Sequence, residues 1–579
     1  MKDMPKQIIY DAVSRHLGAM LPGGVKLPGF SLEHPANETH GDYATNAAMM
    51  MNGNPRELAE KLVAELKKSD VLGEVVDLDR IEVAGPGFIN FWLRRECLGA
   101  ELARVFEEKE DYGRNEWLKG KKVMVEFTDP NPFKEFHIGH LMSNGIGESL
   151  ARLFEFSGAD LQRACYQGDV GMHVAKSIWG LSKKLSEAGL TMADLAEKSL
   201  LERIKFMGQA YAFGATKYEE DEMVKNEINL LNKDIYERKS EEIRILYEAG
   251  KKWSLEYFET IYKKLGTKFD HYFFESEVGE IGKRLVEEHK DIFEVSDGAI
   301  VFKGDKYGLH TRVFLNSLGL PTYEAKELGL AKAKYDKFTY DWSVVVTGNE
   351  INEYFKVLLK AMSLIFPELA AKTTHVGHGM LRLKSGKMSS RTGKVVTGEG
   401  LIADVAAEIR KKMELAARKV TEEEKDPLVE AIAVGAIKYS MLKQGPGKDI
   451  IFDFEGSLSF EGDSGPYLQY VFARTNSVLA KVGGIDRVVD EAEVNEEEMR
   501  LLRWIYRFGE VVELAAKQLA PNLLCSYLIE LAQRFNTFYN KHQILGVETE
   551  KFRLGLTAVV GQVMKNGLSL LGIEAVYQM

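Results

Sequence analysis

The sequence predicts a multidomain α/β protein built around a parallel sheet, and three observations carry that prediction. Between about residues 121 and 394, strand-type runs at 123–127, 164–167, 343–347 and 374–377 alternate with helical runs, which is the pattern of βαβ units. The first 115 residues read as a separate α/β module. After Gly400 the chain is almost wholly helical, and from Met499 onward apolar residues recur at three and four spacing, as in a helical bundle.

Each element follows from local pattern. The N-terminal module has a helical start, a GDYATN turn at 41–46, a helix over 55–68, and strands around Ile81 and Phe88 separated by a tight turn at Gly85-Pro86-Gly87. In the central region the run 123–127 stops just before Pro130-Asn131-Pro132, and an amphipathic helix opens at His137-Ile138-Gly139-His140. Residues 185–265 interrupt the sheet with helical periodicity and dense mixed charge, which suits either a solvated helical pair or an inserted helical domain. A linking helical section runs to about Lys443, and a loop at 481–495 separates two later helices. The predicted division is 1–115, 116–400 with an insertion at about 185–300, 401–460, and 461–579.

Composition excludes several classes. At 579 residues, 45% hydrophobic and 28% charged, the chain is expected to be globular and able to bury several cores. A formal charge of -11 argues against a generally basic nucleic-acid coat, so any such contact must use local positive patches. Cys97, Cys165 and Cys525 form no CxxC pair, so neither a disulfide framework nor a structural metal site is expected. The first 18 residues lack the apolar core of a signal peptide, and no window is apolar enough to cross a bilayer. A cytoplasmic enzyme is the expectation.

Two motifs carry chemistry. His137 and His140, three residues apart in the first turn of a helix, share a face. Free N–H groups and the positive dipole end favour an anion there, so both rings can donate hydrogen bonds to a triphosphate, and Gly139 between them permits close approach. Lys387-Met388-Ser389-Ser390-Arg391 lies among Gly386, Thr392 and Gly393 and reads as a loop whose cation can close on a leaving pyrophosphate. Taken singly, the first is also compatible with a solvent-facing His pair and the second with a charged surface loop.

Together with their flanks, these motifs resemble class I aminoacyl-tRNA synthetases, and within them the arginyl-tRNA synthetase family. The strings are VEFTDPNPFKEFHIGH at 125–140, GDVG at 168–171, PTYEAKELGLA at 321–331, HVGHG at 375–379, KMSSRTGKVV at 387–396 and GPYLQYVFAR at 465–474. GDYATN and GPGFINF resemble the family's N-terminal add-on domain, and FNTFYN and KNGLSLLGIE its C-terminal anticodon-binding bundle. The resemblance covers nearly the whole chain and implies a Rossmann-like catalytic domain with a helical insertion between those two domains.

The resemblance also implies roles. ATP is expected at His137, Gly139, His140, Gly377, Lys387, Met388 and Ser389, and magnesium with the nucleotide. L-arginine is expected at Asn131 through its α-amino end and at Glu275, Tyr323 and Glu327 through its guanidinium, which suits a planar fork of acceptors. For tRNA(Arg), Phe88 and Asn90 match positions that hold an unstacked loop base, while Tyr470, Arg474, Tyr539 and the terminal Met579 match positions around the anticodon. No resident metal is expected, and a monomer is.

Three positions depart from the family's pattern. Glu327 stands where an Asp is usual, Ile351 where a Gln often contacts the amine, and Ser390 where the KMSKS loop has its second lysine. Lys134, three residues before His137, is placed to offset that last loss. Two other readings remain at this stage: another class I enzyme such as the cysteine synthetase, disfavoured by the missing Cys cluster, and a catalytically silent tRNA-binding paralogue, disfavoured by His137, His140 and Lys387.

Overall fold

The structure is a computed structural model that describes residues 5–21, 26–383, 397–415, 421–489 and 493–579. Packing groups the chain into two compact units. The first comprises Met1–Tyr112, Thr475–Phe508 and Leu531–Val563. Its antiparallel sheet consists of β1 (Leu32–Glu33), β2 (Tyr43–Thr45), β3 (Glu82–Ala84) and β4 (Phe88–Phe91), ordered β1-β2-β4-β3. The GDYATN segment, expected as a turn, therefore supplies a strand. Tyr43 and Thr45, two residues apart and so on one face of the sheet, are both fully buried.

Helix Pro55–Leu66 starts where Asn54 accepts from the Arg56 N–H, and it buries Ala59, Leu62, Val63 and Leu66. The Tyr43 and Tyr506 hydroxyls are 2.9 Å apart, Arg503 lies 3.1 Å from Asp42, and Arg534 pairs with Glu38. These links tie the module to helices hundreds of residues away, a grouping that local periodicity does not encode.

The second unit comprises Gly113–Arg474, Gly509–Glu530 and Met564–Met579. Its Rossmann-like sheet uses β5 (Lys122–Glu126), β6 (Asp160–Gln167) and β7 (His271–Phe274). A small antiparallel sheet follows, made of β8 (Glu294–Ser296), β9 (Ala299–Phe302) and β10 (Arg312–Leu315). Then β11 (Trp342–Gly348) and β12 (Thr373–His378) complete the main sheet in the order β12-β11-β5-β6-β7, every neighbouring pair parallel. Val123, Met124 and Val125 are fully buried, as a central strand covered on both faces requires. The strand order reverses between β5 and β11, and the crevice beyond their carboxyl ends is where such sheets bind ligands.

Residues 185–265 form helices that pack in depth. Helix Glu241–Leu265 buries Leu246, Tyr247, Gly250, Trp253, Ser254, Tyr257, Phe258, Ile261, Tyr262 and Leu265, so a full stripe faces the unit. The chain then rejoins the main sheet at β7, inside the range predicted as insertion. The later region is helical: Gly398–Leu415, Glu422–Leu442, Gly465–Ala480, Glu496–Tyr506, Phe508–Lys517, Pro521–Lys541 and Glu550–Leu570. A short parallel pair, β13 (Leu381–Leu383) with β14 (Ile450–Phe452), lies within this unit. Among the described residues no helix is long and apolar enough to cross a membrane.

Helices Glu275–Glu288 and Tyr323–Lys337 cross backbone to backbone. A Cβ on Gly282 would overlap the Ala325 carbonyl, and one on Gly329 the Val278 carbonyl. Gly282→Ala is expected to destabilise the protein by about 1–3 kcal/mol, the usual cost of overpacking. A lower urea midpoint checks this; an unchanged one would show that the helices re-seat freely.

Candidate active site

The chain leaves β5 through a contorted turn. Thr128, Asp129 and Phe133 hold φ of 80°, 47° and 70°, left-handed values that side chains with a Cβ rarely adopt. Helix Ile138–Phe156 follows with His137 as its N-cap. The Gly139 N–H donates to His137 Nδ1 at 3.1 Å, and the His137 N–H donates to His140 Nδ1 at 3.3 Å. The two rings stack with centroids 3.5 Å apart. A neutral imidazole whose Nδ1 accepts must carry its proton on Nε2. Burial, then Lys134, lowers the pKa of His137; burial, then His137 and Lys134, lowers that of His140 further. The helix start thus holds two neutral Nε2–H donors side by side.

Burial likewise lowers His378, and takes His173 and His375 to about 4. The unfolded chain protonates such rings near pH 6.5, so below about that value it binds more protons than the folded chain and stability falls as pH drops. The melting temperature is expected to decline from about pH 7 to about pH 5, and to decline less in a His375→Phe variant, as calorimetry across that range would show. Equal slopes for the two proteins would remove His375 from the account.

Across the crevice, Gly168 after β6 lies between two polar groups: a Cβ there would meet the Asn131 Oδ1 and approach Glu275 Oε1 at 3.2 Å. Glu275 opens helix Glu275–Glu288, is buried, and takes a 2.6 Å bond from Lys326 Nζ. Burial raises the Glu275 pKa, and Lys326 opposes the shift. Lys326 itself stays protonated: burial works against its charge, and Glu275 and the Tyr236 hydroxyl outweigh it. Its ammonium lies 5.4 Å from the ring centroid of Tyr323, which is 62% exposed. Glu327 sits near Glu126, which pairs with buried Lys334; burial and then Glu126 push the Glu327 pKa well up.

Asp169, the acid of GDVG, is fully buried. It accepts from Tyr247 Oη, Lys251 Nζ and Ser276 Oγ, each at 2.7 Å, and from the Ser276 N–H at 2.8 Å. Burial works to raise its pKa, but Lys251 and these bonds bring it below the ordinary value. Asp169 therefore ties the long insertion helix to the residue beside Glu275. GDVG and PTYEAKELGLA carry no local sign of these roles for Asp169 and Lys326, whose partners lie 107 and 51 residues away.

Other expected residues are distributed as follows. Gly377 closes β12, where a Cβ would overlap the Asn352 carboxamide. Lys387, Met388, Ser389, Ser390 and Arg391 lie outside the described residues. The chain resumes at Thr397, bridged to His137, and the Gly398 N–H donates to Phe136 O at 2.7 Å. Phe88 is 38% exposed, whereas Asn90 on the same strand is 3% exposed, so of this pair Phe88 faces solvent. Arg474 Nη2 donates to Tyr470 Oη at 2.7 Å, with its guanidinium 4.7 Å from that ring's centroid. Tyr539 packs against Phe535, and Met579 is half-buried. Cys165 and Cys525 are buried thiols.

Comparison with known proteins agrees in every region. Residues 101–454 match the family model "tRNA synthetases class I (R), catalytic domain", residues 468–579 the "DALR anticodon binding domain", and residues 6–93 the "Arginyl tRNA synthetase N terminal domain". The arginine–tRNA ligase of Clostridium acetobutylicum is 31% identical over 561 residues, covering 95% of this chain and 96% of that one. That of Clostridium beijerinckii is 32% identical over 99% of this chain and 100% of its own. In fold, the chain resembles Thermus thermophilus arginyl-tRNA synthetase, with a TM-score of 0.80 at 24% identity, 99% of this chain and 100% of that chain being covered. The Rossmann-like sheet, the stacked signature histidines and these matches together show that the chain belongs to the arginyl-tRNA synthetase family of class I aminoacyl-tRNA synthetases.

Proposed function

We infer that this protein is an arginine–tRNA ligase whose chemistry runs in the crevice beyond β5 and β11. The arginine carboxylate attacks the α-phosphorus of ATP, an oxygen–phosphorus bond forms, and pyrophosphate leaves. The terminal adenosine hydroxyl of tRNA(Arg) then attacks the arginyl carbonyl, and AMP leaves. The observation that carries this reading is geometric: at the carboxyl ends of β5 and β6 the stacked His137 and His140 rings open one helix, while Asn131 Oδ1 and Glu275 Oε1 flank Gly168.

In this reading the Nε2–H groups of His137 and His140 donate to phosphate oxygens, the backbone at Gly139 and Gly377 meets the nucleotide, and Lys134 with Lys387 meets charge that develops on pyrophosphate. Met388 and Ser389 complete the nucleotide contacts. Asn131 takes the α-amino group and Glu275 the guanidinium, with Tyr323 over it. Glu327 offers the guanidinium a further acceptor. Neutral imidazoles and a lysine suit phosphates rather than a metal, so Mg2+ would arrive on the nucleotide's own oxygens.

The four regions divide the remaining work. Residues 1–115 would meet the tRNA D-loop through Phe88 and Asn90, 116–400 would carry catalysis, 401–460 would link, and 461–579 would read the anticodon with Tyr470, Arg474, Tyr539 and Met579. The protein would act as a cytoplasmic monomer. Exchange of labelled pyrophosphate into ATP tests the function directly. Exchange that depends on arginine, with tRNA present, is expected; exchange driven by another amino acid, or none with arginine and tRNA together, would reject it.

A further inference from the structure

The turn that carries Lys134 is held from outside by helices from the region after β6. Phe133, the residue before Lys134, has both backbone groups taken by serine hydroxyls from that region. Its N–H donates to Ser254 Oγ at 2.9 Å, and its carbonyl accepts from Ser177 Oγ at 3.2 Å. Ser254 lies on helix Glu241–Leu265 and donates its own proton to Gly250 O at 2.8 Å, so both hydroxyl functions are used. One turn earlier on that helix, Gly250 leaves the space into which the Phe133 ring fits: a Cβ there would overlap the ring. Ser177 belongs to helix Met172–Ala188. The Lys134 ammonium lies 5.1 Å from the ring centroid of Tyr211, on helix Leu200–Glu220. Three helices, two of them in the insertion, thus surround two consecutive residues.

A left-handed phenylalanine does not hold itself. At φ 70° the Cβ crowds the backbone, and such a conformation persists only where surrounding contacts over-determine it. The contacts here come from residues 44 and 121 positions away. Neither serine faces solvent: Ser177 and Ser254 are both buried. A buried hydroxyl must be satisfied, and both are satisfied by this one turn or by the helix turn that seats it.

We propose that Ser254, with Ser177 and Gly250, is a positioning residue for Lys134, so that the helical insertion belongs to the machinery of arginine activation. The proposal rests on the reading that Lys134 meets charge on the departing pyrophosphate. Ser254 touches no reactant; it fixes the backbone from which the lysine reaches. Loss of the hydroxyl frees the Phe133 N–H and lets the turn relax toward ordinary φ, moving the Cα of Lys134. A shift of about 1 Å in a reacting geometry costs on the order of 100-fold in rate.

A double-variant cycle on the full chain tests this, with pyrophosphate exchange and single-turnover transfer from preformed arginyl-adenylate as the two readouts. Ser254→Ala is expected to lower the exchange kcat roughly 10- to 100-fold with the arginine KM and the transfer rate unchanged. Ser254→Thr, which keeps the hydroxyl, restores exchange, and Gly250→Ala reproduces the loss. In a Lys134→Ala background, Ser254→Ala adds nothing further, because the group it positions is gone. If Ser254→Ala costs as much in that background as in the parent, or slows transfer as much as activation, the serine acts through general stability and the proposal fails. If Lys134→Ala exchanges at the parent rate, the reading of Lys134 fails first. Any Ser254→Ala loss then belongs to another group. Should Ser254→Ala not fold, Ser177→Ala and Gly250→Ala carry the same cycle, and additivity with Lys134→Ala in both rejects the proposal.

Discussion

Lys134→Ala is expected to slow arginine-dependent pyrophosphate exchange roughly 100- to 1000-fold, the range seen when one transition-state donor is removed. The loss falls on kcat, because the charge the ammonium meets develops as pyrophosphate departs and is weaker in bound ATP. Burial, and then Lys176, already lower the pKa of Lys134, so the ammonium is partly desolvated and interacts strongly with an incoming phosphate. Lys387→Ala should give a loss of similar size, since Ser390 leaves the signature loop with one cation fewer. A Lys134→Ala protein with unchanged exchange would remove the compensation idea, and with it the assignment of the turn before His137 to the phosphate side.

Glu275→Gln is expected to abolish useful arginine binding. A guanidinium that loses one partner of a charge-assisted pair loses roughly 2 kcal/mol or more of affinity, about a 30-fold rise in arginine KM. The same change strands Lys326, whose buried ammonium then lacks its 2.6 Å partner, and breaking a buried pair costs about 3–5 kcal/mol of stability. The two effects separate. Glu275→Gln combined with Lys326→Met removes both partners, which is far less costly than removing one, so stability should recover while arginine binding does not. A double variant that regains arginine affinity along with its urea midpoint would show that Glu275 serves the fold and not the substrate.

Much of this was legible locally. The strands predicted at 123–127, 164–167, 343–347 and 374–377 correspond to β5, β6, β11 and β12, longer by a few residues at some ends, because buried parallel strands write themselves as short apolar runs. The start of the signature helix was readable because His137 is itself the cap. GDYATN was misread because glycine and asparagine at its ends signalled a turn, while the three residues between are held as a strand by pairing with residues 89–91.

The sequence by itself determined four of the five strands of the parallel sheet, the helical C-terminal region, the family to which the chain belongs, and which residue types stand at the mouth of the sheet. Those depend on composition and spacing within a dozen residues. Only the tertiary structure decided that both signature imidazoles carry their proton on Nε2, that Glu275 shares a buried site with Lys326, and that burial and Glu126 raise the pKa of Glu327. It likewise decided that Asp169 and Phe133 are gripped by the insertion, and that the N-terminal module shares a core with residues 475–508. The physical reason is the same in each case. A hydrogen bond or a pKa shift depends on distance and burial in space, and outside the imidazole pair, whose bonds span two and three residues, the partners are 51 to 463 residues apart.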